Sequence, residues 1–392
     1  MLPKSALRPL VLMACLLWGS QLFAQLNVVH VGSGFNQGDY KGVYFTLPRT
    51  ILKIDLVLDK VSKIQGPYSD YASKSLGLNN VIDRNITTYR LRSVNVSTLP
   101  EPDPQQVYFI TRSEKASRGE ESLLLSLTGS GVFLGADITK LEEEQYIGFV
   151  TTDHSIDPDS IERYFQFLAE RNQGIKIDTI TRKITIDTTT IYRHTYKRRL
   201  VEKSVDQKVK EALEQIENIR ANRFNILTGY QEVAYSKEAM QYMVDQLDKM
   251  EQEYLDLFRG KIIHQTVNYS YQYVPGTEDA REEWVPVFGL SERSGFQGLK
   301  EANDELFYVQ MKGTGVSQFS GTPTVGQGRS LEGLPYRIPE RVMISVKYKG
   351  KVHEVMRGDI AQFGNVAVLP VGTTKMNLYP LTGGIKSVLI EY

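Results

Sequence analysis

The chain has 392 residues, with 46 Lys plus Arg against 46 Asp plus Glu, so it carries no net charge at neutral pH. That balance gives no electrostatic reason to bind nucleic acid or an anionic membrane. The length suffices for two or three globular domains. Tyrosine outnumbers phenylalanine, 22 to 15, which favours half-exposed sheet faces and interfaces where the ring packs and the hydroxyl stays wet.

Lys4 and Arg8 precede an apolar run from Leu10 to Leu17, and small Ala24 stands before polar Gln25. This is the pattern of a secretory signal peptide over 1–24, with cleavage expected near Ala24/Gln25. The mature protein is therefore expected outside the cytoplasm, in the periplasm or associated with the outer membrane or cell surface. Cys15, the only cysteine, lies inside this leader. Leu12 to Cys15 half-resembles a lipobox, but Leu16, Leu17 and Trp18 follow where a polar tether belongs, so ordinary cleavage is the expectation. The mature chain would then have no disulfide, thiolate nucleophile or Cys-ligated zinc. Beyond the leader no apolar stretch reaches the length of a membrane span.

From 25 to 202 the pattern reads as a β-rich region with short helices. Gly42 to Leu47 is strand, Pro48 to Thr50 punctuation, and Ile51 to Leu58 a second strand that begins with period-two alternation. Tyr68 to Leu76 reads as a helix, with Pro67 at its start and Gly77 just past its end. Thr88 to Val96 alternates as strand. Pro100, Pro102 and Pro104 mark a loop, because proline removes ladder donors, and Val107 to Ile110 resumes the sheet. Asp157 and Pro158 open a short amphipathic helix to Leu168. Ile175 to Tyr196, β-branched and rich in threonine, reads as one long strand.

The period then changes. Val209, Leu213, Ile216, Ile219, Phe224 and Leu227 recur at three to five, and Met240, Val244, Leu247, Met250, Tyr254 and Leu257 at three and four. Lys203–Leu227 and Ser236–Arg259 are thus expected as an antiparallel helical hairpin over 203–260, with Ser236 as cap and Gly260 as stop. Asp206 with Lys210 and Asp245 with Lys249 offer i,i+4 ion pairs. From 261 to 392 strands return: 262–273, 283–288, 305–311, 341–348, 351–356, 366–370 and 385–392. A Gly-, Ser-, Thr- and Gln-rich stretch, 313–333, reads as a mobile loop. The expected class is α+β, mostly β: an N-terminal β-rich domain, an inserted helical hairpin, and a C-terminal β-sandwich-like domain.

No residue pattern points to a catalytic, cofactor-binding or metal site. His30, His154, His194, His264 and His353 are scattered without metal-ligand spacing. Asp153, Asp157, Asp159 and Glu162 cluster, but Pro158 and the lack of a central glycine fit helix capping better than a calcium loop. There is no nucleophile elbow, and Gly321 to Gly328 lacks the Lys-Ser/Thr of a phosphate loop. Lys197, Arg198, Arg199 and Lys203 form a basic junction read as solvated. Asp159-Ser160-Ile161, Asp178-Thr179-Ile180 and Asp187-Thr188-Thr189 are similar to a bacterial O-glycosylation signal, though strand threonines explain two of them equally well.

Four stretches carry a family resemblance: Gly42 to Thr50 (GVYFTLPRT), Tyr71 to Leu78 (YASKSLGL), Pro102-Asp103-Pro104, and above all Gln246 to Gly260 (QLDKMEQEYLDLFRG). They are similar to a Bacteroidetes family of exported proteins, domain of unknown function 4831. The closing Tyr379 to Val388 resembles that family's C-terminal end, with Tyr379 where an Asp or Asn often precedes the proline. The resemblance implies an exported envelope protein and carries no catalytic residues across. The expected function is a non-enzymatic binding or scaffolding module with an envelope protein or glycan as partner, no nucleic acid and no cofactor. Two alternatives stay open. One is a glycan or peptide hydrolase built on carboxylates that folding brings together. The other is a carbohydrate-binding module, which would show a row of exposed aromatics.

Overall fold

The computed structural model describes residues 26–31, 41–112, 124–136, 164–165, 167, 173–186, 189–230, 235–300, 305–314, 330–331, 333–370 and 373–390. The expected signal peptide, most of the 157–168 segment and most of the 313–333 stretch lie outside them. In chain order the first elements are β1 (Leu26–His30), β2 (Gly42–Ile64), α1 (Ser69–Leu76), β3 (Ile86–Arg112), β4 (Leu125–Leu127) and β5 (Phe133–Ala136). Next come β6 (Gln173–Ile186), β7 (Thr189–Glu202), α2 (Val205–Thr228), α3 (Lys237–Arg259) and β8 (Lys261–Tyr273). The last are β9 (Val285–Ser291), β10 (Gly295–Gln297), β11 (Leu306–Gly313), β12 (Ser330–Leu331), β13 (Gly333–Tyr348), β14 (Lys351–Pro370), β15 (Thr373–Leu378) and β16 (Ile385–Ile390). The fold is mostly β with an antiparallel helical pair set between the sheets, as the sequence pattern implies.

Period two decides how the long strands pack. Leu52, Ile54, Leu56 and Leu58 of β2 are fully buried, while the intervening Lys53, Asp55, Val57 and Asp59 are half-exposed. One five-stranded sheet runs in the order β12-β1-β3-β2-β8, a second in the order β10-β9-β11-β13-β14. The buried face of the first, with Val94, Val96 and Val267, meets Phe288, Phe307, Val309, Ile344 and Val346 of the second in one core. The β-rich stretches on either side of the helices therefore share a single sandwich. Strand β8, just past the helical hairpin, pairs with β2 from Leu52↔Tyr273 to Ile64↔Lys261. A sheet of order β16-β15-β5-β4 covers one end, with Phe133, Met376 and Leu378 packed on Phe45, Leu47 and Tyr108.

Two expected breaks turn out to be irregularities within strands. β2 continues through Pro48, where its register against β3 shifts between Thr46 and Pro48. β3 likewise runs through Pro100, Pro102 and Pro104 rather than looping out. Proline is tolerated here because this part of β3 has one partner only, β1 reaching just Tyr108 to Arg112. A third correction concerns Ile175 to Tyr196, which is two strands, β6 and β7, paired with each other in unbroken register from Gln173↔Glu202 to Ile186↔Thr189.

The helices form where the periodicity placed them. Ser204 caps α2 by accepting from the Gln207 amide at 3.3 Å, and the Gln207 side chain accepts from the Ser204 amide at 3.1 Å. Ser236 caps α3, accepting from the Ala239 amide at 3.2 Å. Gly260 ends α3 at φ 87°, and a Cβ there would stand 2.4 Å from the Ile64 carbonyl. The i,i+4 pairs are different ones. Asp206 accepts from the Tyr71 hydroxyl at 2.7 Å, Lys210 approaches Glu214 at 4.0 Å, and Asp245 accepts from Gln241 at 2.8 Å. The lower half of the hairpin docks through Val209, Ala212, Ile216, Leu257 and Phe258 onto Ile64, Tyr68 and Ala72. The distal half projects, leaving Phe224, Leu227, Tyr230 and Tyr242 exposed.

Candidate interaction surface

The β6–β7 ribbon stands apart from the three cores. Fourteen residues per strand at about 3.4 Å each make an arm roughly 45 Å long. No other strand pairs with either edge among the described residues. Side chains alternate between its two faces, so the register fixes each face's chemistry. On one lie the pairs Ile175↔Leu200, Ile177↔Arg198, Thr179↔Tyr196 and Lys183↔Tyr192. Leu200 is 69 % exposed, Tyr196 67 % and Ile175 65 %. The other face carries Lys176↔Arg199, Asp178↔Lys197 and Arg182↔Arg193, then Ile184↔Ile191 toward the tip. Residues 173–202 hold seven Lys or Arg against three Asp or Glu, so this arm is cationic on a chain that is neutral overall. Asp178 offsets part of that charge, its Oδ2 lying 2.9 Å from Arg199 Nε.

Exposed Ile, Leu and Tyr side chains grouped along one element form a patch of the kind that marks interaction surfaces. An isolated two-stranded ribbon is marginal in water because neither face is covered. The basic junction Lys197, Arg198, Arg199 is part of this arm, whereas Lys203 turns to Glu211, its Nζ 2.6 Å from the carboxylate. The Asp178-Thr179-Ile180 triplet also lies on the ribbon. The Asp159 triplet, the Asp187-Thr188 pair, the 153–162 acidic cluster and Gly321 to Gly328 fall outside the described residues.

The histidines are dispersed. His30 is buried, its Nε2 donating to the Gln105 carbonyl at 2.9 Å and its ring stacked on Tyr108 at 5.0 Å. His194 sits on the ribbon with Nδ1 2.9 Å from Thr181 Oγ1. His264 lines a shallow groove with Asp59, Arg90 and Arg92, and His353 is exposed near Tyr348. His154 is outside the described residues. Among the described residues no group of three His, Asp or Glu is placed to hold a metal ion.

A cleft of about 500 Å³ opens beside α2 and α3, bounded by Tyr68, Phe167, Glu211, Glu214, Met250 and Tyr254. Burial, then the Glu211 charge, pushes the Tyr68 hydroxyl above its ordinary range. Two carboxylates outside the lining of this cleft, Glu251 and Glu305, are held below their ordinary range. Burial pushes Glu251 up, but hydrogen bonds from Arg220 and Arg223 more than reverse it. Glu305 is likewise held below its usual range once Lys349 and Tyr348 bind it.

The aromatics expected of a glycan platform are largely committed. Tyr271 of β8 turns inward, its ring 4.9 Å from Phe288, and Tyr269 stacks on Phe296 at 5.5 Å. Trp284 and Tyr308 are covered by the Lys347 ammonium at 4.0 Å and 5.4 Å from their centroids. Large exposed aromatics include Tyr192 and Tyr196 on the ribbon, Phe224, Tyr230 and Tyr242 on the distal helical hairpin, and the separate Tyr44 and Tyr379.

The stretches behind the family resemblance converge on packing. Pro48 pairs with Pro102, and Asp103 forms a buried ion pair with Arg337. The Arg337 amide donates to the Gly383 carbonyl at 2.9 Å, and a Cβ on Gly383 would meet Pro48 at 2.8 Å. At the other end, the Tyr68 and Ile82 amides donate to the Leu257 and Arg259 carbonyls, both at 2.9 Å. The model of a domain of unknown function, DUF4831, matches residues 41–170 and 199–386. The chain belongs to the DUF4831 family. No curated protein and no solved structure matches it. The family match passes over 171–198, which hold all of β6 and most of β7. The DUF4831 pattern thus spans the sandwich and the helices and passes over β6 and most of β7. Sequence reading missed the ribbon because strand propensity is the same for one long strand and for two that fold back. The available signal was the Asp187-Thr188 interruption, polar residues of turn type inside a β-branched run.

Proposed function

We propose that this DUF4831 protein is an exported, non-enzymatic binding or scaffolding module of the bacterial cell envelope, and that it engages an envelope partner through the β6–β7 ribbon. One observation carries the reading: a long ribbon of apolar and cationic side chains that none of the three hydrophobic cores covers. The distal helical hairpin also exposes Phe224, Tyr230 and Tyr242. The ribbon, however, joins exposed apolar side chains to a row of cations and a free strand edge among the described residues, which favours it as the element that meets a partner. The signal-peptide pattern of 1–24 supports export, and the periplasm or the outer membrane is the proposed location.

The test is chemical cross-linking of the tagged full chain in intact cells, followed by recovery from outer membranes. A stable partner lost when 174–201 are replaced by a short Gly-Ser link supports the reading; identical recovery without the ribbon defeats it. The cleft containing Glu211 and Glu214 gives the hydrolase reading a foothold. Purified protein should turn over neither peptidoglycan nor generic peptide and ester substrates. Reproducible turnover abolished by Glu211→Gln or Glu214→Gln would make the protein an enzyme.

A further inference from the structure

We infer that the outer edge of β7 takes up an extended acidic segment of a partner protein as a third strand, a reading that rests on the ribbon being the binding element. Tyr192, Tyr196 and Leu200 project from one face of β7, with Arg198 among them, and Arg193, Lys197 and Arg199 from the other. A strand laid against that edge must obey the same period of two. Its complement is therefore a segment alternating acidic with apolar residues, acids toward the arginine and lysine row, apolar side chains toward the tyrosines. β7 is the better edge on charge. It holds Arg193, Lys197, Arg198 and Arg199 with Glu202 as its only acid, whereas β6 sets Asp178 among three cations.

Strand addition supplies what the arm lacks. Main-chain hydrogen bonds to an unpaired edge give affinity, and alternate side chains give specificity. A third strand also moves the ribbon out of the marginal two-stranded regime. Pairing between the arms of two copies is opposed by the same row of positive charge, the usual protection of a free edge. The family match passes over Tyr192, Arg193, Tyr196, Lys197 and Arg198 and resumes at Arg199, so most of this edge lies outside the matched DUF4831 residues.

The probe is a fluorescent peptide alternating Glu and Val, titrated by anisotropy against the full-length protein. Its controls have the same composition in blocks, the same sequence N-methylated along one edge, and Lys in place of Glu. The alternating Glu peptide should bind, with each control weaker by at least about tenfold. Arg193→Glu combined with Lys197→Glu should reverse the preference toward the Lys peptide at unchanged melting temperature. Equal binding of the block or N-methylated peptide overturns strand addition. So does binding only to phosphatidylglycerol vesicles that the same charge reversal abolishes, or a concentration-dependent dimer lost on that reversal. If all peptides fail while ribbon replacement still removes the cross-linked partner, strand addition falls and the ribbon remains the binding element. If ribbon replacement leaves the partner in place, the broader reading falls as well.

Discussion

Arg223 and Glu251 meet across the helical hairpin, Nη1 of the arginine lying 2.6 Å from Oε2 of the carboxylate. Glu251 is 5 % exposed and sits where the spacing of α3 would place an apolar residue. Arg220 Nε reaches its other oxygen at 2.6 Å, and Arg223 also binds Asp248. On α2 the buried positions Val209, Ala212, Ile216, Ile219 and Ile226 step by three, four, three and seven, and Arg223 fills the gap in that rhythm. The two helices thus share one polar layer within an apolar seam. A charge in such a seam is satisfied in one alignment only, so it sets the register of the hairpin.

Removing the carboxylate should therefore cost more than removing an ordinary surface charge. Because both arginines keep access to water, Glu251→Ala is expected to lose about 1–3 kcal/mol, between the surface and fully buried cases. Glu251→Gln should lose less. Urea unfolding of the full chain measures both; a loss below that of a control exposed glutamate would show the layer to be idle.

The stripe can be probed at two depths. Ile216 is 1 % exposed and packs in the helical core, so Ile216→Asp should cost several kcal/mol, on the order of 3–5. Leu247 belongs to the same periodic pattern but is only half-buried, and Leu247→Asp should cost about half as much. Equal melting temperatures for the two variants would contradict the depth difference.

Acid should weaken the fold through specific groups. Glu251 and Glu305 are held below the ordinary value of 4.5, because partners outweigh the effect of burial. A lowered folded pKa means the unfolded chain takes up protons first as pH falls. The stability these groups contribute is then whole above pH 4.5 and drains away below it, through their depressed folded values. Glu251→Gln should flatten that decline in a series of melting curves. At the alkaline end, burial pushes the Tyr108 hydroxyl well above its ordinary 10.0. The unfolded chain therefore loses that proton first, and stability should fall as pH rises past 10.0.

Asp103 and Arg337 form a buried pair, and Arg337 Nη1 also donates to the Ala361 carbonyl at 3.1 Å. Asp103→Ala leaves a guanidinium buried without its counter-charge. The expected loss is about 3–5 kcal/mol. Guanidinium chloride would mask this electrostatic effect, so urea is the denaturant of choice.

On the ribbon the pattern should invert. Tyr192→Ser with Tyr196→Ser removes large rings that are more than half exposed, so stability should stay within about 0.5 kcal/mol per site. Recovery of the cross-linked envelope partner should nevertheless drop. Loss of stability with partner recovery intact would make the ribbon a structural element instead.

Local pattern determined much of this protein. The period of 3.6, two serine caps and Gly260 set both long helices to within two residues, since capping and amphipathicity act between near neighbours. Pro67 and Gly77 did the same for α1. Runs such as Leu52 to Leu58 announced half-buried strands through period two, and the stretches 42–50 and 246–260 placed the chain in its family. What sequence alone left undecided depends on distant partners. Whether Pro102 ends a strand depends on which edge of β3 another strand covers. Whether β8 belongs with the strands before it or after it depends on its pairing with β2. Tyr271 and Tyr196 have the same propensity, yet one packs on Phe288 and the other stands in solvent. Burial is a property of the assembled sheets rather than of any segment, so only the tertiary structure could separate the tyrosines of the core from those left exposed.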